Sequence, residues 1–232
     1  MHYKKWQYIY EKILRDFGFK LEDDQKASNI LSKLLKKEKN VFPIKKLEKL
    51  IDNKTLVVFG AGPSLEESIV RHKKRISGMF KIAADGATSA LLENDMLPDI
   101  IVTDLDGKIR DQLKANFEGS LIVVHAHGDN VDRIKKYIPK LKGNLMGTIQ
   151  TNPDSYDNVH NFGGFTDGDR AVYLADHFNA KEINLIGFNF FDVIGKYSFA
   201  KKKDIELKLK KLKWCKYLLG LLDNNNNNLR YL

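Results

Sequence analysis

The chain contains a single cysteine, Cys215, which excludes an internal disulfide and any cysteine-rich zinc site. Cys215 falls at a core spacing within a helical pattern and reads as packing. Long apolar runs are also missing: none exceeds about six residues, against the roughly 20 needed to cross a bilayer. No membrane span and no membrane partner are therefore expected. The first residues, Met1 to Trp6, hold no apolar core of the secretory kind, so a cytoplasmic protein is expected. Internal repeats, aromatic–basic stacking motifs and recognition-helix patterns are absent too. The net charge of +9 invites a nucleic-acid reading, which the placement of the charge opposes. Lys33, Lys36, Lys37 and Lys39 crowd one end, and Lys201, Lys202, Lys203, Lys208, Lys210, Lys211 and Lys213 the other, mostly on what read as solvated helix faces. The centre is rich in aspartate instead. No nucleic-acid partner is expected, and a small polyanionic substrate profits from the same positive field.

What the chain does have is apolar material for a core, 43% of 232 residues, beside 30% charged residues. That suits one large domain, or one domain with helical additions at its ends. Residues 1–53 read as an N-terminal helical region. Trp6, Tyr10, Ile13, Leu14 and Phe17 form one stripe at three- and four-residue steps, and Ile30, Leu31, Leu34 and Leu35 form a second, with Asp23 or Asp24 as its cap. Pro43 separates this region from the rest. It shows no chemistry; a lid, a packing layer and a contact with a second copy all stay open, and with them a homo-oligomer. Residues 54–195 alternate short β-branched runs with helical patterns: Thr55 to Phe59, Phe80 to Ala84, Ile100 to Thr103, Leu121 to Val124, Asn144 to Ile149 and Ile183 to Ile186, with Asn158 to Phe162 as a further candidate. Runs apolar on both faces predict an α/β fold, Rossmann-like, with a mostly parallel sheet flanked by helices. Ligands bind at the carboxyl ends of such strands. Residues 196–232 read as a C-terminal helix, striped by Ile205, Leu209, Leu212, Cys215, Leu219 and Leu222, and a frayed tail at Asn224 to Asn228.

The unusual residues sit at the predicted strand ends. Gly60-Ala61-Gly62-Pro63-Ser64 turns from strand to helix, with Ser64 and Glu67 spaced as a capping box. The turn is either a well-capped connection or a set of backbone N–H groups open to phosphate or carboxylate. No Gly-Lys-Ser/Thr follows, which excludes a P-loop, and the third glycine of a dinucleotide fingerprint is missing. Asp85, in Ala83-Ala84-Asp85-Gly86, is a helix cap or a substrate contact. Asp104 and Asp106 leave a buried strand at i and i+2; bringing them together costs repulsion unless a cation lies between, and magnesium is the cation that takes such oxygens. Gly163 and Gly164 lead into Thr166-Asp167-Gly168-Asp169-Arg170, where Thr166 or Asp167 can cap a helix, Asp167 and Asp169 offer two more carboxylates, and Arg170 suits a phosphate. His125 and His127, after the fourth run, leave three roles open: metal ligand, hydrogen bonding to substrate or phosphate, and structure.

Taken in order, Gly-Ala-Gly-Pro-Ser-Leu, Ala-Asp-Gly-Ala, Pro-Asp-Ile-Ile-Val-Thr-Asp-Leu-Asp-Gly, His-Ala-His-Gly-Asp-Asn and Gly-Phe-Thr-Asp-Gly-Asp-Arg-Ala resemble the archaeal 6-hydroxymethyl-7,8-dihydropterin diphosphokinases over roughly residues 55 to 190. The resemblance implies magnesium-dependent transfer of the β,γ-diphosphate of ATP to the hydroxymethyl group of a reduced pterin, with release of AMP, in pterin or folate-type cofactor biosynthesis. It also implies Asp104, Asp106 and Asp167 as catalytic residues and Asp104, Asp106, Asp167 and Asp169 as metal ligands. Gly60, Gly62, Ser64, Asp85, His125, His127, Thr166 and Arg170 become the contacts to nucleotide or substrate. A more distant likeness is to thiamine diphosphokinases, which usually carry serine where this chain has Gly107, so the pterin branch is favoured. A glycosyltransferase-like protein using a nucleotide sugar is the remaining alternative, since an Asp-x-Asp pair also holds metal-bound nucleotide diphosphates.

Overall fold

The computed structural model describes residues 3–190, 193–198, 205–226 and 228–232, without the side chains of residues 225 and 226. Eight strands form one all-parallel sheet: β1 (Thr55–Phe59), β2 (Phe80–Ala84), β3 (Ile100–Thr103), β4 (Leu121–Ala126), β5 (Leu145–Ile149), β6 (Val159–His160), β7 (Glu182–Ile186) and β8 (Leu229–Tyr231). Their order is β6-β5-β4-β3-β2-β1-β7-β8. The chain walks outward from β1 to β6, then crosses back to place β7 on the other side of β1. That reversal is the topological switch point at which such sheets open a crevice.

Helices cover both faces because alternate strand residues point opposite ways. Leu56 and Val58 face a cluster shared with α1 (Tyr3–Phe17), α3 (Ile44–Ile51), α8 (Asp167–His177) and α9 (Ile205–Asn226). Val57 and Phe59 face α4 (Leu65–Ile76) and α5 (Ala87–Glu93). Farther along that second face, α2 (Leu21–Leu35), α6 (Ile109–Phe117) and α7 (Val131–Tyr137) close over β3 to β6. The two N-terminal helices thus grip opposite faces of the sheet. No helix among the described residues is long and apolar enough to cross a membrane.

Several sequence expectations change. The second N-terminal helix begins at Leu21, so neither Asp23 nor Asp24 caps it; both lie in its first turn. Ile205, first in the predicted C-terminal stripe, is exposed, and burial on α9 begins at Cys215. In the tail, α9 continues through Asn226 and β8 follows as an edge strand, while residue 227 lies outside the described residues. Asparagine-rich composition hid a strand of only three residues, whose pairing comes from β7 and not from its own pattern. Ile183 N–H donates to the Asn228 carbonyl and Leu232 N–H to the Leu185 carbonyl, both at 2.9 Å, while Leu229 is buried. The lysines at 201, 202 and 203 lie outside the described residues.

Leu229 seals the otherwise open edge of β7. Leu229→Ala should cost about 2–3 kcal/mol by cavity formation, lowering the melting temperature by roughly 4–12 °C for a chain of this size. Differential scanning calorimetry of the two proteins checks it.

Candidate active site

The residues that follow the strands meet along the carboxyl edge of the sheet, around a cleft of about 390 Å³. Its centre is acidic. Asp85 after β2, Asp104 and Asp106 after β3, and Asp167 at the start of α8 each present a carboxylate oxygen, all within 4.8 Å of one another. Four hard oxygen donors on three loops form a set suited to a cation such as magnesium.

Each acid is held differently. Asp85 has a left-handed φ of 39°. Its Oδ1 accepts from the Thr103 hydroxyl and Gln112 Nε2, each at 2.7 Å, and from the Gly107 N–H at 3.2 Å, which leaves Oδ2 for the cleft. Position 107 admits only glycine, because a β-carbon there would lie 2.8 Å from the Asp85 carboxyl carbon. Asp104 Oδ2 pairs with His127 Nε2 at 3.0 Å, its Oδ1 accepts from the Asp106 N–H at 3.2 Å, and its carbonyl accepts from Asn130 Nδ2. Asp167 Oδ1 is 3.2 Å from Arg170 Nη1.

Between Asp104 and Asp106, Leu105 takes a left-handed φ of 66°. The two acids share the cleft through this turn and not by the strand alternation that their spacing suggests. A bulky residue in that conformation is strained by about 1–3 kcal/mol. Leu105 is held there by burial among Ile101, Val124 and Ala126 and by its N–H donating to the Thr103 hydroxyl at 2.8 Å.

Proximity divides the carboxyl groups electrostatically. Burial, then the charge of Asp104, raises Asp85 and Asp167 above the usual carboxylate range. Burial would raise Asp104 as well, but hydrogen bonding and attraction from His127 outweigh it and hold it low. Asp106 is exposed by area, yet the solvent it meets is confined by the cleft walls. That enclosure, with the charges of Asp104 and Asp85, pushes it up to about 8.

Other expected contacts distribute unevenly. Asp169 stands outside the group: its carboxylate accepts from the N–H groups of Phe165 and Thr166 at 2.7 Å and from the Thr166 hydroxyl, fixing the start of α8. Thr166 lines the cleft beside that cap. His125 belongs to β4 itself, is buried, and bonds Thr148 on β5 at 3.1 Å; it does not line the cleft, whereas His127 does. The glycine turn lines it, with three of its N–H groups already used. Gly60 N–H donates to the Ile186 carbonyl at 2.8 Å, Gly62 N–H to the Gly187 carbonyl at 2.9 Å and Ser64 N–H to Asn189 Oδ1 at 3.0 Å. These bonds bind the β1 and β7 loops to each other. The predicted capping box does not form: the Ser64 hydroxyl donates to Asn189 instead, and Glu67 pairs with Arg71. Arg170 lines the cleft, with Nη2 3.3 Å from Gln150 Oε1.

Sequence reasoning missed several contributors. The α1–α2 turn (Gly18, Phe19 and Lys20), Asp23 and Asp24 at the start of α2, Asp129, Gln150, the Gly187 to Phe190 loop, Val193 to Gly195, Tyr197 and Ser198, and Lys208 and Lys211 of α9 all line the cleft. The two lysines were read with the solvated faces, since their pattern carries no sign of what folds over them. Cys215 also touches the cleft, but burial pushes its thiol well up and makes it inert.

Comparison with known proteins now decides the family. A model described as 6-hydroxymethylpterin diphosphokinase MptE-like matches residues 28–194. Proteins named 6-hydroxymethyl-7,8-dihydropterin pyrophosphokinase from Methanocaldococcus jannaschii and Pyrococcus furiosus are each 45% identical, over 96% and 97% of this chain and 96% of theirs. The chain belongs to this MptE-like diphosphokinase family. A third relative of the same name, from Methanothermobacter thermautotrophicus, is 42% identical over 98% of this chain and 97% of its own. Among solved structures, a MAf glycosyltransferase from Magnetospirillum magneticum aligns with a TM-score of 0.44 and 18% identity, over 60% of this chain and 23% of that one, too distant to bear on function. Family membership matches the ordered motifs, and Gly107 acquires a physical reason in its contact with Asp85.

The raised carboxyls bind protons more tightly in the folded chain than in the unfolded one, so ionising them costs stability. Metal-free protein should therefore lose stability as pH rises from about 4, the ordinary carboxylate value, through about 8, where Asp106 is half ionised. A divalent cation should flatten that fall, and Asp106→Asn should reduce it without one. Thermal unfolding across this range, with chelator and then with magnesium, checks both; a level profile in chelator would contradict the electrostatic picture.

Proposed function

We propose that the chain is a magnesium-dependent 6-hydroxymethyl-7,8-dihydropterin diphosphokinase that uses ATP and releases AMP. The observation that carries this reading is the convergence of Asp85, Asp104, Asp106 and Asp167 to within 4.8 Å. Relatives that share nearly the whole chain bear the enzyme's name.

Transfer of this kind asks for positioning and charge neutralisation more than for covalent catalysis. The hydroxymethyl oxygen forms a bond to the β-phosphorus and releases its proton to solvent, the bond from that phosphorus to the α,β-bridging oxygen breaks, and AMP departs with the bridging oxygen. Magnesium, held by the four aspartates, would supply positive charge against the phosphate oxygens. The chain's own part is orientation. Thr103, Gln112 and Gly107 fix Asp85 with one oxygen free. His127 aims Asp104 from the β4 loop. Arg170, Lys208 and Lys211 bring three cations to the cleft lining, where they offset the charge of a triphosphate. With the N–H groups of Gly60, Gly62 and Ser64 already bonded, recognition of phosphate falls mainly to these side chains and the metal.

Incubation with ATP, magnesium and the reduced pterin should give AMP and a diphosphorylated pterin in equal amounts by mass spectrometry. Asp104→Ala and Asp106→Ala should each lower kcat by roughly 10²-fold or more while the far-ultraviolet circular dichroism is kept. Turnover near the parent's in both variants would overturn the assignment of these ligands, and ADP in place of AMP would overturn the reaction.

A further inference from the structure

In the strand order the cleft lining extends to both sides of the acid cluster, as two lobes that differ in acid content. On the side of β1 and β7, the lining consists of Gly60 to Gly62, Gly187 to Phe190, Val193 to Gly195, Tyr197, Ser198 and Lys208, with no carboxylate among the described residues. Every other carboxylate that lines the cleft (Asp23, Asp24 and Asp129) lies on the opposite side, between the α1–α2 turn and the loops after β4 and β5. That lobe also carries Lys20, and Lys211 lies 5.9 Å from the Phe165 ring centroid, so its acids are partly offset; what sets it apart is carboxylate oxygen, which suits a molecule rich in N–H groups.

The three acids of that lobe are not equivalent. Asp24 is buried and fully committed: its Oδ2 accepts from Tyr10 Oη at 2.5 Å and Gln150 Nε2 at 2.7 Å, and its Oδ1 from the Gly128 N–H at 2.7 Å. It fastens α2 to the loops after β4 and β5. Asp23 and Asp129 are exposed, and their side chains make no hydrogen bond or ion pair among the described residues. They flank Gly128: a β-carbon placed on that glycine would lie 2.7 Å from the Asp23 β-carbon, and Asp129 is the next residue. Beside them the lobe has an aromatic wall. Phe19 and Phe165 both line the cleft, and Phe17 packs against both, stacked on Phe19 at a centroid distance of 5.2 Å and tilted by 51° to Phe165 at 5.1 Å.

Resting on the diphosphokinase reading, we propose that this lobe is the acceptor subsite. Its occupant is a neutral planar heterobicycle, lying against Phe19 and Phe165 with its amino–amide edge paired to the free carboxylates of Asp23 and Asp129. A carboxylate accepts two parallel N–H bonds, which is the complement of an amino group beside a ring amide. An aromatic face adds stacking without selecting charge. In this arrangement the hydroxymethyl group points toward the acid cluster, while ATP enters from the β1–β7 crevice. The α1–α2 turn then acts as the specificity wall.

The test measures equilibrium binding of the reduced pterin by its fluorescence, without nucleotide, and of ATP with magnesium by calorimetry. Asp23→Asn and Asp129→Asn replace groups that make no contact within the fold, so folding is retained and is checked by thermal unfolding. The double variant is expected to bind the pterin roughly 10- to 100-fold more weakly, with ATP affinity within a few-fold of the parent. Parent-like pterin affinity in the double variant overturns the lobe assignment, as does an equal loss for ATP. A parent protein that neither binds the pterin nor forms AMP overturns the diphosphokinase reading and this proposal with it. A parent active toward the pterin beside an unaffected double variant overturns the proposal alone.

Discussion

Mutual repulsion among four aspartates is the constraint around which this molecule is built. Two unit charges about 4 Å apart repel by roughly 4 kcal/mol at the effective dielectric of a protein site, and four cannot all ionise together without opposing charge. The surroundings divide the burden. His127 holds Asp104 ionised, Arg170 stands beside Asp167, and Asp106 keeps its proton until the pH nears 8. Two left-handed residues, Asp85 and Leu105, add local strain at the same place. A group of like charges with strained supports is an arrangement that folding alone would not favour, and it gains a physical rationale when a cation is the intended occupant.

The sheet makes the convergence feasible. With every strand parallel, the residues following β1 to β5 and β7 emerge on one edge, so each turn can contribute to a single site. Return of the chain from β6 to β7 carries α8 to the opposite face from α4 and α5, and its first residue, Asp167, reaches the cluster from that side. Asp169, two residues on, ends up inside the helix cap with no oxygen to spare. The positive end of α8 also favours a carboxylate at its first position.

What the sequence made legible was whatever depends on local pattern. Runs apolar on both faces indicated the parallel sheet, and placing acids at the ends of those runs put Asp104, Asp106 and Asp167 on the correct edge. Asp85 was seen as a cap or a contact, because no local feature tells that Thr103, Gln112 and Gly107 would turn it toward Asp104. His125 was misjudged by a two-residue difference in strand length: β4 continues to Ala126, so its side chain alternates into the interior. The glycine turn stayed open between a capped connection and an anion site, because its partner, the loop after β7, lies more than a hundred residues away. β8 and the cleft-lining lysines of α9 share that cause. Each is defined by what it meets across the fold, and single-sequence periodicity holds no record of such meetings.

The terminal helices show the same principle from the other direction. The N-terminal stripe left a lid, a packing layer and a contact with a second copy open, and its Trp6, Tyr10 and Ile13 are buried in the core. Yet Asp24 lies beneath the cleft wall at 4% exposure, where a lone carboxylate would be costly without its donors. Those donors come from α1, from the loop after β4 and from Gln150, and Gln150 in turn accepts from Arg170, which pairs with Asp167. A continuous path of hydrogen bonds therefore runs from the N-terminal helix to the acid cluster. Removing α1 and α2 would strip the Gly128 N–H and the Gln150 amide of their acceptor and leave Arg170 less firmly aimed. A terminal element becomes indispensable to chemistry when it supplies the last hydrogen-bond acceptor in a buried path.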